Sequence, residues 1–257
     1  MVKRIDYDEQ QYAVYARARA LPGETVDKWI RAFAGHARPE RPLTVLDLGS
    51  GTGRWTPALA DAFGGPVYGV EPSTRMRAIA EESARHPRVD YLAGAADRIP
   101  LPDASCDLAL MFLVLHHVPD RRAAAAEIAR VLRPGARLLI RSIFVDRMPE
   151  LMWHRFFPGA RAIEEQLFPS LDEVVRTFGE AGLRYVAVQQ VRERFASSLA
   201  EYADRLRLRG ISIFEHLTDE ETERGFAALD AAVAAQTTPC PVEEDGDLLI
   251  LARDPVA

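Results

Sequence analysis

From Leu43 onward, short apolar runs alternate with stretches whose apolar residues recur every three or four positions. The runs read as strands and the periodic stretches as helices, and their alternation is the βαβ pattern of a mostly parallel sheet. The first run, Leu43–Leu48, ends in Gly49-Ser50-Gly51-Thr52-Gly53, and a helix is expected from about Arg54 to Phe63. The second, Val67–Glu71, is followed by Pro72-Ser73. Ser73 is the expected N-cap of a helix that carries Met76, Ile79 and Ala80 on one face. The third is Val89–Ala93. The fourth, Cys106–Leu113, is almost wholly apolar, as a central strand covered on both faces should be. Its helix is expected over Arg121–Leu132, stopping at Arg133-Pro134-Gly135, and the fifth strand over Arg137–Ile143.

Beyond the fifth run the rhythm loosens. Met148–Phe168 holds Trp153, His154, Phe156 and Phe157, a density of rings that suits a lid, a pocket wall or a plain hydrophobic plug. Helices are expected over Ser170–Ala181, Ser197–Arg209 and Thr218–Ala235, with strands at Tyr185–Val191 and Leu248–Ala252. Upstream of the first strand, Tyr7–Ala18 and Val26–Ala37 also carry a helical period.

The glycine turn is the first candidate for chemistry. A strand that breaks into glycines and restarts as a helix presents backbone N–H groups to a ligand, and the missing Cβ atoms allow close approach. Its third glycine comes one place earlier than G-x-G-x-x-G requires, because Arg54 holds that place, so dinucleotide pyrophosphate is disfavoured. Glu71 ends the second strand 18 residues after Gly53. An acid there can accept hydrogen bonds from both hydroxyls of a ribose, which makes the pair of features a nucleoside site.

Charge and composition narrow the partners. There are 32 basic and 38 acidic residues among 257, for a net charge of −6, which argues against nucleic acid. Thirty arginines against two lysines, with no asparagine, reads as GC-rich codon usage rather than chemistry. Cys106 and Cys240 lack zinc-site spacing, and no acidic or histidine cluster has metal-ligand spacing, so no metal is expected. The charged N-terminus and the lack of a long apolar stretch lead to the expectation of a soluble, cytoplasmic protein without a membrane partner.

Five ordered segments carry a resemblance. Val45–Gly53 resembles motif I of the class I S-adenosylmethionine (SAM)-dependent methyltransferases, and Val67–Ser73 resembles the motif that follows. Gly94–Pro102 with Ser105-Cys106-Asp107, then Leu115-His116-His117-Val118, then Arg130–Gly135, are similar to the family's remaining motifs in order. The small-molecule branch that includes the ubiquinone and menaquinone methyltransferases is the most similar. The resemblance implies a Rossmann-like α/β fold with a seven-stranded, mostly parallel sheet, helices on both faces, and the last strand antiparallel between the fifth and sixth. It implies one domain over 1–257, with a SAM-binding core at 43–145 and cap or substrate elements at 1–40, 146–168 and 197–238.

The resemblance also assigns residues. Gly49 and Gly51 would run beside the methionine moiety of SAM, with Asp47 near its ammonium and Ser50, Gly53 and Pro72 in the same loops. Glu71 would hold the ribose, Met76 would pack on adenine, and Ala96 and Asp97 would frame the adenine edge. Met111 or Phe112 would face the methionine end, while Tyr15 and Arg19 would fold over the cofactor. Two departures stand out: Ala95 where many members carry an acid, and Cys106 where phenylalanine is usual.

Methyl transfer is an in-line displacement in which the cofactor brings the reactivity, and a base is needed only if the acceptor must lose a proton. His116 is the candidate base, with His117 and His154 as outsiders, against the reading that Leu-His-His is a structural turn. Arg141, near the carboxyl end of a buried strand, must meet either an internal carboxylate or an acidic group of the substrate. Arg141, Trp153, His154 and Phe157 are the substrate candidates, Phe156 and Phe214 are further apolar ones, and Arg205, Arg207 and Arg209 read as a solvated face. The expected function is methylation of a small molecule at O, N or C, with a homodimer left open. The alternatives are a non-methylating reaction such as cyclisation, or a non-catalytic SAM-binding subunit.

Overall fold

In the computed structural model, which describes residues 21–255, side-chain alternation along the strands separates two apolar layers. On β4 (Cys106–Phe112), Ala109 and Met111 point to one face, and Leu108, Leu110 and Phe112 to the other. β1 (Leu43–Leu48) and β5 (Leu132–Ser142) divide in the same way: Leu46, Leu48, Leu138 and Ile140 on the first face, Val45 and Leu139 on the second. Burial on both faces is why these runs show no polar alternation in sequence.

The sheet has seven strands in the order β3-β2-β1-β4-β5-β7-β6. β1 pairs in parallel with β2 (Gly64–Glu71) and β4, β2 with β3 (Val89–Ala93), and β4 with β5. β7 (Val242–Arg253) runs antiparallel to both β5 and β6 (Leu183–Ala196), as the resemblance implied. Helices α1 (Gly23–His36) and α2 (Thr56–Phe63) cover one face through Trp29, Phe33, Leu59 and Phe63. Helices α4 (Arg121–Val131) and α6 (Leu171–Gly179) cover the other through Ala124, Ile128, Val174 and Phe178. Each fully buried side chain of this size contributes about 1.5–3 kcal/mol. Between them in sequence lies α3 (Thr74–Ser83), capped by Ser73 Oγ accepting from the Met76 N–H at 3.1 Å.

A third apolar cluster lies against the ends of β6 and β7, which contribute Ala196 and Val242. α5 (Gly159–Leu167), α7 (Leu199–Arg207) and α8 (Asp219–Ala235) gather around Trp153, Phe157, Tyr202, Phe214 and Leu229.

Several boundaries differ from the sequence expectations. α2 starts at Thr56 rather than Arg54, because the glycine turn continues through Trp55. β5 begins at Leu132 rather than Arg137, pairing with Cys106 ahead of an irregularity in register. β6 and β7 extend five and six residues further into charged sequence, where Arg192 and Arg194 of β6 pair with Glu243 and Asp245 of β7. The expected helix Tyr7–Ala18, with Tyr15 and Arg19, lies outside the described residues. Among the described residues no helix is long and apolar enough to cross a membrane, and no group of histidine, cysteine and acidic side chains could hold a metal.

Candidate active site

The loops after β1, β2, β3 and β4 open on the carboxyl edge of the sheet, where open α/β sheets bind ligands. Gly49, Gly51 and Gly53 adopt positive φ of 73°, 57° and 79°. A Cβ at Gly49 would stand 2.5 Å from Val114, whereas one at Gly51 would meet only the Met76 methyl, at 3.8 Å. Gly49 thus makes room for the chain after β4, and Gly51 leaves bare backbone beside open space. The turn is tied to β2 by Gly49 N–H and Ser50 N–H donating to the Val70 carbonyl. The buried Ser50 Oγ has no hydrogen-bond partner among the described residues.

Two carboxylates frame this loop. Glu71, 8% exposed at the end of β2, accepts from the Gly51 N–H at 3.0 Å and the Ser73 N–H at 2.9 Å. Those bonds fix the carboxylate beside the loop and the start of α3. Asp47, 2% exposed, accepts from Thr56 Oγ at 2.7 Å. Burial pushes its pKa up to about 6, helped by Glu71 and opposed by the Thr56 hydrogen bond and Arg54. A cation placed here would stabilise its charged form.

Past β3, Ala95 and Arg98 exchange backbone hydrogen bonds across a tight turn that places Ala96 half-buried and Asp97 exposed at the tip. Met76 is buried beneath Gly51. Pro72 is exposed. Met111 is fully buried in one apolar layer, and Phe112 packs among Trp29, Phe33 and Trp55 in the other, its ring centroid 4.5 Å from that of Trp55. The residues that surface at the end of β4 are their successors, Leu113 and Val114. Leu113 has φ of +58°, a strained conformation for a leucine, and its N–H donates to the Arg141 carbonyl at 2.8 Å.

Leu113 and Val114 stand between two spaces. Val114 lies on Gly49, while Leu113 lines a cavity of about 270 Å³ at the ends of β4 and β5. The cavity also takes in His116, Arg141, Ser142, Trp153, Phe168 and Glu244. A smaller space of about 40 Å³ shares Leu113 and Trp153 with it and reaches Arg54, the residue after the glycine turn. His116 stacks with Phe168 at 4.5 Å and with His117 at 3.9 Å between ring centroids.

Arg141 answers one of the open alternatives. Its Nε donates to Glu193 Oε1 at 3.1 Å, its Nη2 reaches the same oxygen, and both side chains are buried. The internal carboxylate is present, so Arg141 is already neutralised in the protein. Gly246 lets the pair sit there, since a Cβ would collide with the Glu193 carboxylate. His154 is buried and bonded through Nε2 to Glu164 at 2.6 Å. Phe157 packs edge-on against Phe214 and Phe226 inside the third apolar cluster. Arg205 is half-buried, with its guanidinium on the Phe195 carbonyl, and Arg207 pairs with Asp204 and Asp230. Glu193, Glu244, Leu113 and Ser142 escaped the sequence reading. The signal available was the alternation of acids at 243–247 opposite arginines at 192 and 194.

The family model described as a methyltransferase domain matches residues 46–140, which span β1 to β5. The chain is 31% identical over 165 residues to a demethylmenaquinone methyltransferase of Bacillus licheniformis, covering 56% of this chain and 71% of that protein. It is 31% identical over 162 residues to an O-methyltransferase of Aspergillus nomiae, covering 60% and 69%. The chain belongs to the class I SAM-dependent methyltransferases. A structure from Anabaena variabilis, described as a candidate methyltransferase of an antibiotic biosynthesis pathway, aligns with a TM-score of 0.71 at 21% identity over 88% of this chain and 96% of that one.

The cofactor of this methyltransferase is SAM, which when bound supplies an electrophilic methyl on a sulfonium sulfur. The residues present fit it. The bare backbone at Gly51, a fixed acid at the end of β2 and a buried acid that gains from a cation match the amino acid and ribose of that molecule.

Proposed function

We propose that this methyltransferase transfers the methyl group of SAM to a small-molecule acceptor held in the cavity at the ends of β4 and β5. The observation that carries the reading is the adjacency of Val114 and Leu113: one residue packs on the glycine turn and the next lines the cavity. In-line transfer requires the acceptor atom to meet the methyl directly, and the cavity and the space that reaches Arg54 meet at Leu113, at the end of β4. In this reading Gly49, Ser50, Gly51 and Gly53 cradle the methionine moiety, with Asp47 toward its ammonium. Glu71 takes the ribose hydroxyls, Pro72 and Met76 flank the nucleoside, and the Ala96–Asp97 turn borders the adenine. Met111 and Phe112 act from below, holding Leu113 in place. His116 is the group that receives a proton from the acceptor on the β4 side, and Trp153 walls the cavity opposite.

The acceptor is read as an aromatic, quinone-like or polyketide-like metabolite, methylated at O, N or C. The O-methyltransferase and quinone-methyltransferase relatives support that class. We read the enzyme as cytoplasmic, and its net charge of −6 supports the lack of a nucleic-acid partner. The domain reading is a single unit over 1–257, with the SAM core at 43–145 and cap or acceptor-shaping elements at 1–40, 146–168 and 197–238.

Calorimetric titration with SAM and with NAD, followed by labelled-methyl transfer to a panel of phenols and hydroquinones, tests the proposal. SAM binding with label in an organic-soluble product is expected. Ile143→Trp, which fills the cavity, should abolish transfer while leaving SAM affinity within about twofold. NAD binding without SAM binding would sink the proposal. SAM binding with no transfer to any acceptor would favour cyclisation or a non-catalytic subunit.

A further inference from the structure

The wall of the cavity farthest from β4 holds a carboxylate with work still to do. β6 and β7 pair Glu193 directly opposite Glu244, so both acids lie on one face of the ladder. Like charges in that position repel, and the arrangement persists only if something compensates it. Glu193 is compensated by Arg141. The remaining cations of the cavity are also engaged: Arg147 with Asp247 at 2.7 Å, and Arg192 with Glu243 and Asp245. Glu164 is engaged with His154. Glu244 has no such partner. Its Oε1 accepts from the Met152 N–H at 2.6 Å, and its other oxygen has no hydrogen-bond partner among the described residues.

We propose that Glu244 determines which acceptors this cavity takes: its free oxygen accepts a hydrogen bond from a hydroxyl or ammonium of the acceptor, and molecules that present a carboxylate at that point are turned away. The inference rests on the reading of the cavity as the acceptor site. Met152 fixes the carboxylate, so the hydrogen bond costs little further ordering, and a donor supplied by the ligand recovers solvation lost on closing the cavity. A bound carboxylate would instead meet Glu244, while the arginines that line the cavity are already paired.

Burial pushes the Glu244 pKa up to about 7. The groups that face it are Arg141 and the Met152 N–H, which lower it, and Glu193 and Glu164, which raise it. Above that value the discrimination against carboxylates is full. Below it Glu244 is protonated, can itself donate a hydrogen bond, and no longer repels an anion.

The test uses the full-length protein saturated with S-adenosylhomocysteine and three probes of one shape: benzyl alcohol, benzylamine and benzoate. Binding is read from the methyl NMR signals of Leu113 and Ile143, which line the cavity. At about pH 8, benzoate should bind at least tenfold more weakly than either donor probe, and the gap should shrink toward pH 6. Glu244→Gln keeps an acceptor for Met152 and should cut the gap to about threefold or less, without its pH dependence. Glu150→Gln, at the exposed rim, should leave the gap unchanged. The relative affinity of alcohol and amine tells a hydroxyl acceptor from an ammonium one. Benzoate binding as tightly as the others, or a gap untouched by Glu244→Gln, would overturn the role of Glu244 alone. Probes that move neither methyl signal, while S-adenosylhomocysteine still moves those of the glycine turn, would overturn the acceptor-site reading and this inference with it.

Discussion

The parallel core from β1 to β4 and the cap built by α5, α7 and α8 hold their buried acids in different ways. In the core, Glu71 accepts from the Gly51 and Ser73 N–H groups, and Asp47 accepts from the Thr56 hydroxyl. At the cap and its border, charged groups meet one another: His154 with Glu164, Arg147 with Asp247, Arg207 with Asp230. Apolar packing differs in the same sense. The core layers interleave strand and helix residues, whereas the third cluster gathers the rings of Phe157, Phe214 and Phe226 against one another. Binding one fixed cofactor constrains backbone geometry, and shaping an acceptor pocket is left to side chains that can be exchanged. Glu244 is the cap-side exception, held by backbone in the manner of the core.

The largest effect should come where the two regions join. Arg141→Ala leaves Glu193 charged and buried without its partner, and should destabilise the protein by about 3–5 kcal/mol in urea unfolding. Replacing both residues by methionine removes the charge with the partner and should recover most of that loss. Recovery of stability without recovery of activity would show that the pair positions the cavity wall rather than merely filling the interior. A double variant as unstable as the single one would break the comparison, because Glu193 would then not be the reason for the loss.

Next in size is Glu71→Ala in the core. In the proposed reading Glu71 accepts from the ribose hydroxyls, so its loss should weaken SAM binding roughly a hundredfold, about 3 kcal/mol, in calorimetric titration. Asp47→Asn should show the core trading stability for binding. The Asp47 carboxyl has a folded pKa of about 6, raised above its ordinary value, so its contribution to stability is full in acid and is lost as pH rises through 6. Near pH 7.5 the charged, buried form therefore destabilises the fold. Asparagine, which still accepts from Thr56, should be more stable there by about 2 kcal/mol, with the advantage vanishing toward pH 4. SAM affinity should fall in the same variant, and wild-type affinity should fall as Asp47 is protonated below about pH 6. Equal stability of the two proteins at neutral pH would contradict the burial cost.

The same contrast explains what could be read from sequence. The core was legible because each strand ends in a local punctuation: Gly49–Gly53 after β1, Glu71-Pro72-Ser73 after β2, Arg133-Pro134-Gly135 after α4. The antiparallel place of the last strand between the fifth and sixth followed from the resemblance, not from periodicity. The extensions of β6 and β7 were hidden because Arg192-Glu193-Arg194 and Glu243-Glu244-Asp245 are wholly charged runs without apolar alternation. Cross-strand ion pairs hold them, and hydropathy carries no trace of a partner 50 residues away. Glu244 was hidden for the same reason. Arg141 was visible as a buried charge, but only the register that brings Gly246 and Glu193 alongside could choose between its two partners. Phe157 was legible as apolar and aromatic, and nothing local tells a pocket wall from the interior of a cap.

The smallest expected effect tests whether the cap opens on its own. α8 begins with a capping box: Thr218 Oγ accepts from the Glu221 N–H at 3.2 Å, and Glu221 Oε2 accepts from the Thr218 N–H at 2.9 Å. The same glutamate sits against Gly159, where a Cβ would stand 3.1 Å from its Oε1, so the box also seats the start of α5. Thr218→Ala should cost about 1 kcal/mol, in the range of a lost N-cap. If the cap is a separate cooperative unit, native-state hydrogen exchange should lose that protection in α5, α7 and α8 while amides of β1 and β4 stay at their wild-type values. The ring contacts among Phe157, Phe214 and Phe226 favour this outcome, while Ala196 and Val242 tie the cluster to the ends of β6 and β7. A uniform loss across β1, β4 and α8 would mean that cap and core unfold together. Acceptor entry would then require opening of the cofactor site as well, and the separation between the two regions would be one of chemistry alone.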